Sequence, residues 1–335
     1  MNEKIKIIAE AGINHNGNIK LAYKLIDQAK IAKVDIVKFQ IYSADELVTK
    51  YAEKANYVKL NTKSKQTQYQ MAKQLELTQK DHLKLMNYCK KKKIKYLCSA
   101  FDVPSLKFLN RQKINLFKIP SGEITNYPYL KVIGSFKKNV ILSTGMSTIS
   151  EIQKALNVLT KSGLKKNKIT LLQCTSDYPT SYSDVNLKAM ISMKNKFKIK
   201  VGLSDHTHGI EVPIAAATLG AKVIEKHFTL SKKLKGPDHR VSLIPAELSN
   251  MVKSIRNIES ALGSPKKTVT KNEMKTLKAA RKSIVAIKKI KKYEIFTKNN
   301  IGVKRPGIGI SAEKFDNILG KKAKKLFRVD ELIKI

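Results

Sequence analysis

At 335 residues, with 42% of them hydrophobic, the chain is long enough for one large domain and a small one, since barrel folds of about 250 residues form a single unit. No apolar run approaches the roughly 18 residues that cross a bilayer, and the opening MNEKIKIIAEAG lacks the apolar stretch and cleavage site of a signal peptide, so a soluble, unprocessed, cytoplasmic protein with no membrane partner is expected. A formal net charge of +40 would ordinarily suggest nucleic acid, but the charge is mostly scattered lysine, with arginine at Arg111, Arg240, Arg256, Arg281, Arg305 and Arg328. Nucleic-acid readers rely on arginine forks and interleaved aromatics, so no nucleic-acid partner is expected. Cys89, Cys98 and Cys174 form no CxxC pair and their number is odd, which points to a reducing compartment, with Cys98 and Cys174 as buried structural thiols.

Eight β-rich runs follow one another through the first three quarters of the chain. They are IKIIAEAG (5 to 12), DIVKFQ (35 to 40), KYLCSAF (95 to 101), LFKIPSGE (116 to 123), VILSTG (140 to 145), ITLLQCT (169 to 175), KVGLSD (200 to 205) and KVIEKHF (222 to 228). Between them lie stretches that are apolar on a three-to-four spacing, such as Ile19 to Ala32, Thr78 to Lys91 and Thr148 to Thr160. Alternating units of this kind, with no GxGxxG after the first strand, predict a (β/α)8 TIM barrel over residues 1–263 rather than an open doubly wound sheet. The connection from Ile41 to Leu77 is far longer than usual and suits a segment that covers a site. Turn formers and lysines then suggest a linker over 264–280, and SIVAI and IGVKRPGIGIS place a small β-rich domain over 281–335.

Barrel enzymes carry their chemistry at the C-terminal strand ends. The runs end on Glu10 with Asn14 and His15, on Lys38 and Gln40, on Ser99, and on Lys118, Ser121 and Glu123. The remaining four end on Ser143 and Thr144, on Thr175 and Ser176, on Ser204, Asp205 and His206, and on Glu225, Lys226 and His227. Lysines and hydroxyls aimed at one cavity neutralise a small polyanion bearing phosphate and carboxylate, and phosphoenolpyruvate suits that description. His206 and His227 end successive strands, where two imidazoles can converge on a divalent ion.

The motifs IIAEAGINHNG, VKFQ, FKIPSGEITNYPYL, ILSTGM, GLSDHTHGIEVPIAAATLGA, VIEKHFTL and GPDH occur in the order seen in the N-acetylneuraminate (sialic acid) synthase family, and RKSIVA and VKRPGIGIS resemble its C-terminal antifreeze-like (SAF) domain. The resemblance implies condensation of phosphoenolpyruvate with N-acetylmannosamine to give N-acetylneuraminate and phosphate. His206 and His227 would hold Mn2+, or Mg2+ or Co2+. Phosphoenolpyruvate would be held by Lys38, Ser99, Lys118, Ser121, Ser143, Ser176 and Ser204, and the sugar by Glu10, Gln40, Tyr178 and Asp238. Arg305 would reach the sugar's N-acetyl group from a partner subunit, which implies a domain-swapped homodimer. Glu123, beside Lys118 and Ser121, is the candidate for moving protons.

The sequence departs from the family at LQCTSDYP, through Gln173 and Ser176, and at His208, read as loop variation. An acceptor with a second acetamido group, 2,4-diacetamido-2,4,6-trideoxymannose, would give legionaminic acid instead, with pseudaminic acid third. Two rivals belong to other classes. Lys38, Lys118 or Lys226 forming a Schiff base would make a pyruvate aldolase. A glycan- or ice-binding C-terminal module would make the barrel a scaffold.

Overall fold

Eight parallel strands close into a barrel in the computed structural model, which describes residues 3–62 and 65–335. The strands are β1 (Lys6–Gly12), β2 (Ile36–Ile41), β3 (Lys95–Ala100), β4 (Leu116–Ile119), β5 (Asn139–Ser143), β6 (Ile169–Cys174), β7 (Lys200–Asp205) and β8 (Val223–His227). Each pairs with the next, and β8 returns to β1 with Glu10 opposite His227. The barrel expected from the alternating pattern is therefore the observed architecture. One strand is shorter than its apolar run: β4 stops before Pro120, which has no N–H to extend the ladder, and Ser121–Glu123 coil into a 3-10 turn.

The helices follow the expected amphipathic stretches. Ile19–Ile31 starts where the Asn18 side chain accepts from Lys20 N at 2.9 Å, and it buries Ala22, Leu25, Ile26 and Ala29 along one stripe. Gln79–Lys92 and Ile149–Lys161 begin with reciprocal caps, Thr78 with Asp81 and Thr148 with Glu151. These stripes pack on the outward side chains of the strands, among them Ile7, Val37, Phe39, Phe117, Leu142 and Leu203. Full burial of each such side chain contributes about 1.5–3 kcal/mol. A clamp closes the barrel's N-terminal end: Asp35 accepts from Ile7 N at 2.9 Å, Lys4 Nζ at 2.9 Å and Arg256 Nη2 at 2.5 Å.

After β2 the long connection folds into the short helices Ala44–Leu47, Asn56–Thr62 and Gln68–Leu75. The Tyr42 hydroxyl donates to Ala72 O at 3.2 Å, the Ala44 N–H donates to Glu76 Oε2 at 3.0 Å, and Val58 packs with Met71 and Leu75. This segment is thus anchored by its own core.

Residues 264–335 form a second compact unit. It has an antiparallel pair, β9 (Ser283–Ala286) with β10 (Ile301–Lys304), around a core that includes Ile284, Ile290, Phe296, Ile318 and Phe327. Within the stretch read as a linker, Lys271–Ala280 is a helix capped reciprocally by Thr270 and Glu273, although none of its residues is buried. Among the described residues no helix is long and apolar enough to cross a membrane.

Candidate active site

Side chains alternate across a strand, so every second residue of each barrel strand faces the interior. Ile8, Ile36, Leu97, Ile141, Leu172 and Val223, with Leu116 beside them, form an apolar plug at its floor. Gly202 completes this level because a Cβ there would lie 2.2 Å from Val223 O and 2.8 Å from Leu172 Cδ2. Two residues further along each strand come Glu10, Lys38, Ser99, Lys118, Ser143, Cys174, Ser204 and Glu225, which line one cavity of about 300 Å³. A polar layer therefore sits directly on an apolar one.

The layer is bonded internally. Lys38 Nζ lies 3.1 Å from Glu10 Oε2 and 2.9 Å from Glu225 Oε2, while Lys118 Nζ lies 3.4 Å from Glu225 Oε1 and donates to Ser143 Oγ at 2.8 Å. Ser204 Oγ donates to Glu225 Oε1 at 3.0 Å, and Gln40 Nε2 donates to Glu10 Oε1 at 3.1 Å. Ser99 Oγ is buried with no hydrogen-bond partner. Burial pushes both carboxyls up, but unequally. For Glu10 burial wins and, with the repulsion from Glu225, holds it at about 7 against the pull of Lys38. For Glu225 the charges of Lys118 and Lys38 outweigh burial and hold it well below the usual carboxylate range. Burial lowers both lysines; the two carboxylates more than restore Lys38, whereas Lys118 stays below its ordinary value.

Above this layer two imidazoles meet. The His206 and His227 ring centroids are 5.5 Å apart, and the Tyr178 ring lies 4.0 Å from His206 and edge-on to His227 at 5.9 Å. His206 Nδ1 donates to Thr175 O at 2.7 Å, which places a proton on Nδ1 and turns Nε2 away from that carbonyl. His227 Nδ1 is buried without a partner, and burial followed by the charges of His206 and Lys38 holds this ring well below the ordinary range. Burial lowers His206, but Cys174 and the Thr175 carbonyl outweigh it and raise the ring above its ordinary range, so a divalent ion would have to displace its proton, whereas His227 already offers an unfilled donor atom. Among the described residues no group of three or more His, Cys, Asp or Glu gathers as a ligand set. Asp238 lies buried nearby, its carboxyl raised to about 6 by burial against the pull of His206.

Beside Cys174, Ser121 and Ser176 converge because position 145 is glycine. The Gly145 N–H donates to Ser121 Oγ at 3.0 Å, and a Cβ there would stand 2.3 Å from Ser176 Oγ and 2.8 Å from Ser121 Oγ. Two hydroxyls side by side on the cavity wall, one of them held by a backbone amide, can donate to phosphate oxygens.

The structure thus gathers Glu10, Lys38, Gln40, Ser99, Lys118, Ser121, Ser143, Ser176, Tyr178, Ser204, His206 and His227 around one cavity. Asp238 lines the adjoining one with Gln40, Tyr178 and His227. Several expectations need correction. Glu123 is not among the cavity-lining residues: the 3-10 turn after Pro120 carries it aside, and its Oε2 accepts from Asn126 Nδ2 at 2.7 Å. Lys226 points outward from the barrel and pairs with buried Asp205, which removes it as a Schiff-base lysine. Cys174 is buried but faces the cavity, with its Sγ 4.0 Å from His206 Nδ1 and 3.6 Å from Ser121 Oγ. Asn14 is structural, donating to Phe228 O and Ser242 Oγ at 2.9 Å each, and Gln173 turns away to donate to Val185 O at 2.9 Å. Two other residues need no correction: His208 is exposed and lines neither cavity, in keeping with loop variation, and Arg305 is an exposed residue of the small unit. Glu225, named from the sequence as a strand-end residue without a role, is the anion between both lysines. Counting back by two from His227 along β8 would have put it on the interior face.

A profile described as NeuB family matches residues 25–267, and one described as SAF domain matches residues 281–335. The chain belongs to the NeuB family, whose barrel is here followed by an SAF domain. It is 50% identical over 332 residues to the N,N'-diacetyllegionaminic acid synthase of Campylobacter jejuni subsp. jejuni serotype O:2, covering 99% of each chain. It is 44% identical over 318 residues to the protein of that name from Legionella pneumophila subsp. pneumophila, covering 94% of this chain and 89% of the relative. The solved structure of N-acetylneuraminic acid (sialic acid) synthetase from Leptospira borgpetersenii serovar Hardjo-bovis matches with a TM-score of 0.71 at 35% identity, over 82% of this chain and 90% of that one.

Proposed function

We propose that this protein is a nonulosonic acid synthase that condenses phosphoenolpyruvate with 2,4-diacetamido-2,4,6-trideoxymannose to give the legionaminic acid skeleton and phosphate. The observation that carries the reading is continuity. The lysine and serine cavity and the cavity holding Asp238 share Gln40, Phe101, Tyr178 and His227, so an anion and a sugar can meet beside the two imidazoles. The choice of acceptor moves away from N-acetylmannosamine, the first expectation. Both relatives named as diacetyllegionaminic acid synthases stand at 50% and 44% identity, against 35% for the sialic acid synthetase.

In the proposed reaction C3 of phosphoenolpyruvate bonds to the sugar's aldehyde carbon, and the aldehyde oxygen takes a proton to become a hydroxyl. Water then bonds to C2 and loses a proton, after which the C2–O bond to phosphate breaks to leave a keto acid and inorganic phosphate. Lys38 and Lys118 balance the charge of the anion, with Ser99, Ser143 and Ser204 as neutral partners. Ser121 and Ser176 orient the phosphate, and the Gly145 amide holds the Ser121 hydroxyl in place. His206 and His227 would hold Mn2+, Mg2+ or Co2+, which supplies Lewis acidity toward the aldehyde oxygen. Glu10, with its carboxyl near neutrality, takes over from Glu123 the task of holding a proton beside the acceptor. The homodimer in which Arg305 of one subunit serves the acceptor of the other belongs to the same proposal.

The test is phosphate release with phosphoenolpyruvate and the diacetamido sugar, before and after exhaustive chelation and after adding Mn2+ back. Turnover that needs both substrates and the metal is expected. Turnover that persists in the joint His206→Ala, His227→Ala variant, or borohydride trapping of pyruvate on Lys38 or Lys118, would refute the mechanism.

A further inference from the structure

The cavity that adjoins the lysine layer has features that the condensation itself does not require. It encloses about 290 Å³ and shares Tyr178 and His227 with the lysine cavity, and the excursion between β2 and the helix Gln79–Lys92 supplies much of its wall. Tyr42, Leu47, Val58, Met71, Leu75 and Phe101 make that wall mostly apolar. Gln68 also lines it, and its Oε1 is buried with no hydrogen-bond partner, so an acceptor atom waits there for a donor. An unsatisfied buried carbonyl oxygen is destabilising, and a ligand N–H in the same place recovers that cost.

We infer that this annex is the specificity pocket for the far end of the acceptor, that it selects a 6-deoxy sugar, and that Gln68 reads the N–H of an acetamido group at C4. The inference rests on the synthase reading above. The aldehyde carbon must lie beside His227 to meet phosphoenolpyruvate, and the annex shares Gln40, Phe101, Tyr178 and His227 with the lysine cavity but is lined by neither lysine, so the rest of the sugar can occupy it. A C6 methyl group suits Met71, Leu75 and Val58, all of them buried. N-acetylmannosamine would instead bring hydroxyls at C4 and C6 against that wall. A hydroxyl buried without a partner costs roughly 1–3 kcal/mol, or about 5- to 150-fold in kcat/KM.

The test measures kcat/KM by phosphate release for 2,4-diacetamido-2,4,6-trideoxymannose and for N-acetylmannosamine, in the full-length protein and in the variants Gln68→Leu and Met71→Gln. The unaltered protein should prefer the diacetamido sugar by about 10-fold or more, and each variant should shrink that ratio by about 10-fold. A ratio unchanged in both variants, including an equal loss on both sugars, overturns the annex assignment while leaving the synthase reading in place. A preference for N-acetylmannosamine in the unaltered protein overturns the annex and the choice of acceptor together. Phosphate release with neither sugar removes the synthase reading and the annex with it.

Discussion

Replacing Glu225 by glutamine keeps the shape of the side chain and removes the negative charge that lies 2.9 Å from Lys38 Nζ and 3.4 Å from Lys118 Nζ. All three side chains are at least 95% buried, so water cannot compensate. Leaving a buried charge without its partner costs about 3–5 kcal/mol. Here the lower end applies, because Glu10 still faces Lys38 at 3.1 Å and burial already favours loss of the proton from Lys118. For a unit of this size about 3 kcal/mol corresponds to a fall in Tm of roughly 6–12 °C. Phosphoenolpyruvate, which brings new negative charge to the same two ammonium groups, should restore part of that loss. At about 100 times its Kd a ligand adds about 2.7 kcal/mol, and the gain in Tm should be larger for the variant than for the unaltered protein. Melting followed by circular dichroism at fixed pH, with and without phosphoenolpyruvate, makes the measurement. A variant that melts within about 2 °C of the parent, or an anion-induced shift no larger than the parent's, would refute the view that Glu225 occupies the place of the substrate's charge.

Three further outcomes follow from the geometry. Gly145→Ala should raise the KM for phosphoenolpyruvate by about 10-fold with a much smaller effect on the KM for the sugar, as steady-state kinetics would show, because the new methyl group stands 2.3 Å from Ser176 Oγ and displaces the hydroxyl cradle. Lys226→Met should lower stability by about 3–5 kcal/mol by leaving Asp205 buried and unpaired, while the folded fraction keeps its KM for phosphoenolpyruvate within about twofold, because Lys226 faces away from the cavity. Asp35 carries a pH signature: partial burial raises its carboxyl, but the Ile7 N–H, Lys4 and Arg256 outweigh it and hold the group below its ordinary value. Its stabilisation is therefore present above the unfolded pKa and is lost as pH falls through the lower folded one, so Asp35→Asn should melt about 1–3 kcal/mol earlier at pH 7 and converge with the parent in acid.

The barrel was legible because its strands are buried on both faces and each ends abruptly in polar residues, a change of character that local composition records. The partners at the cavity were harder to read, because they depend on parity rather than on residue type. In VIEKH the three polar residues look equivalent, yet Glu225 and His227 face the interior and Lys226 faces out to Asp205, since successive side chains alternate. The same rule explains Cys174: its place two residues after Leu172 of the apolar floor puts the thiol in the polar layer. Parity fails at Glu123, because Pro120 ends β4 and the chain coils before the carboxylate arrives, so no count along the strand could have placed it.

The annex lies beyond any local rule, because its wall joins Tyr42 and Phe101, just past the ends of β2 and β3, to Val58, Met71 and Leu75 of two short helices. The length of the connection after β2 signals that something covers the site. What it selects depends on which side chains of that cover turn inward, and packing against the rest of the barrel decides this. In the proposed synthase, reacting groups on the strands and selecting groups on the excursion are separable. On that proposal, altering the excursion should move the preference between acceptors while the KM for phosphoenolpyruvate stays as it is, so that a change of acceptor would require no change in the strands.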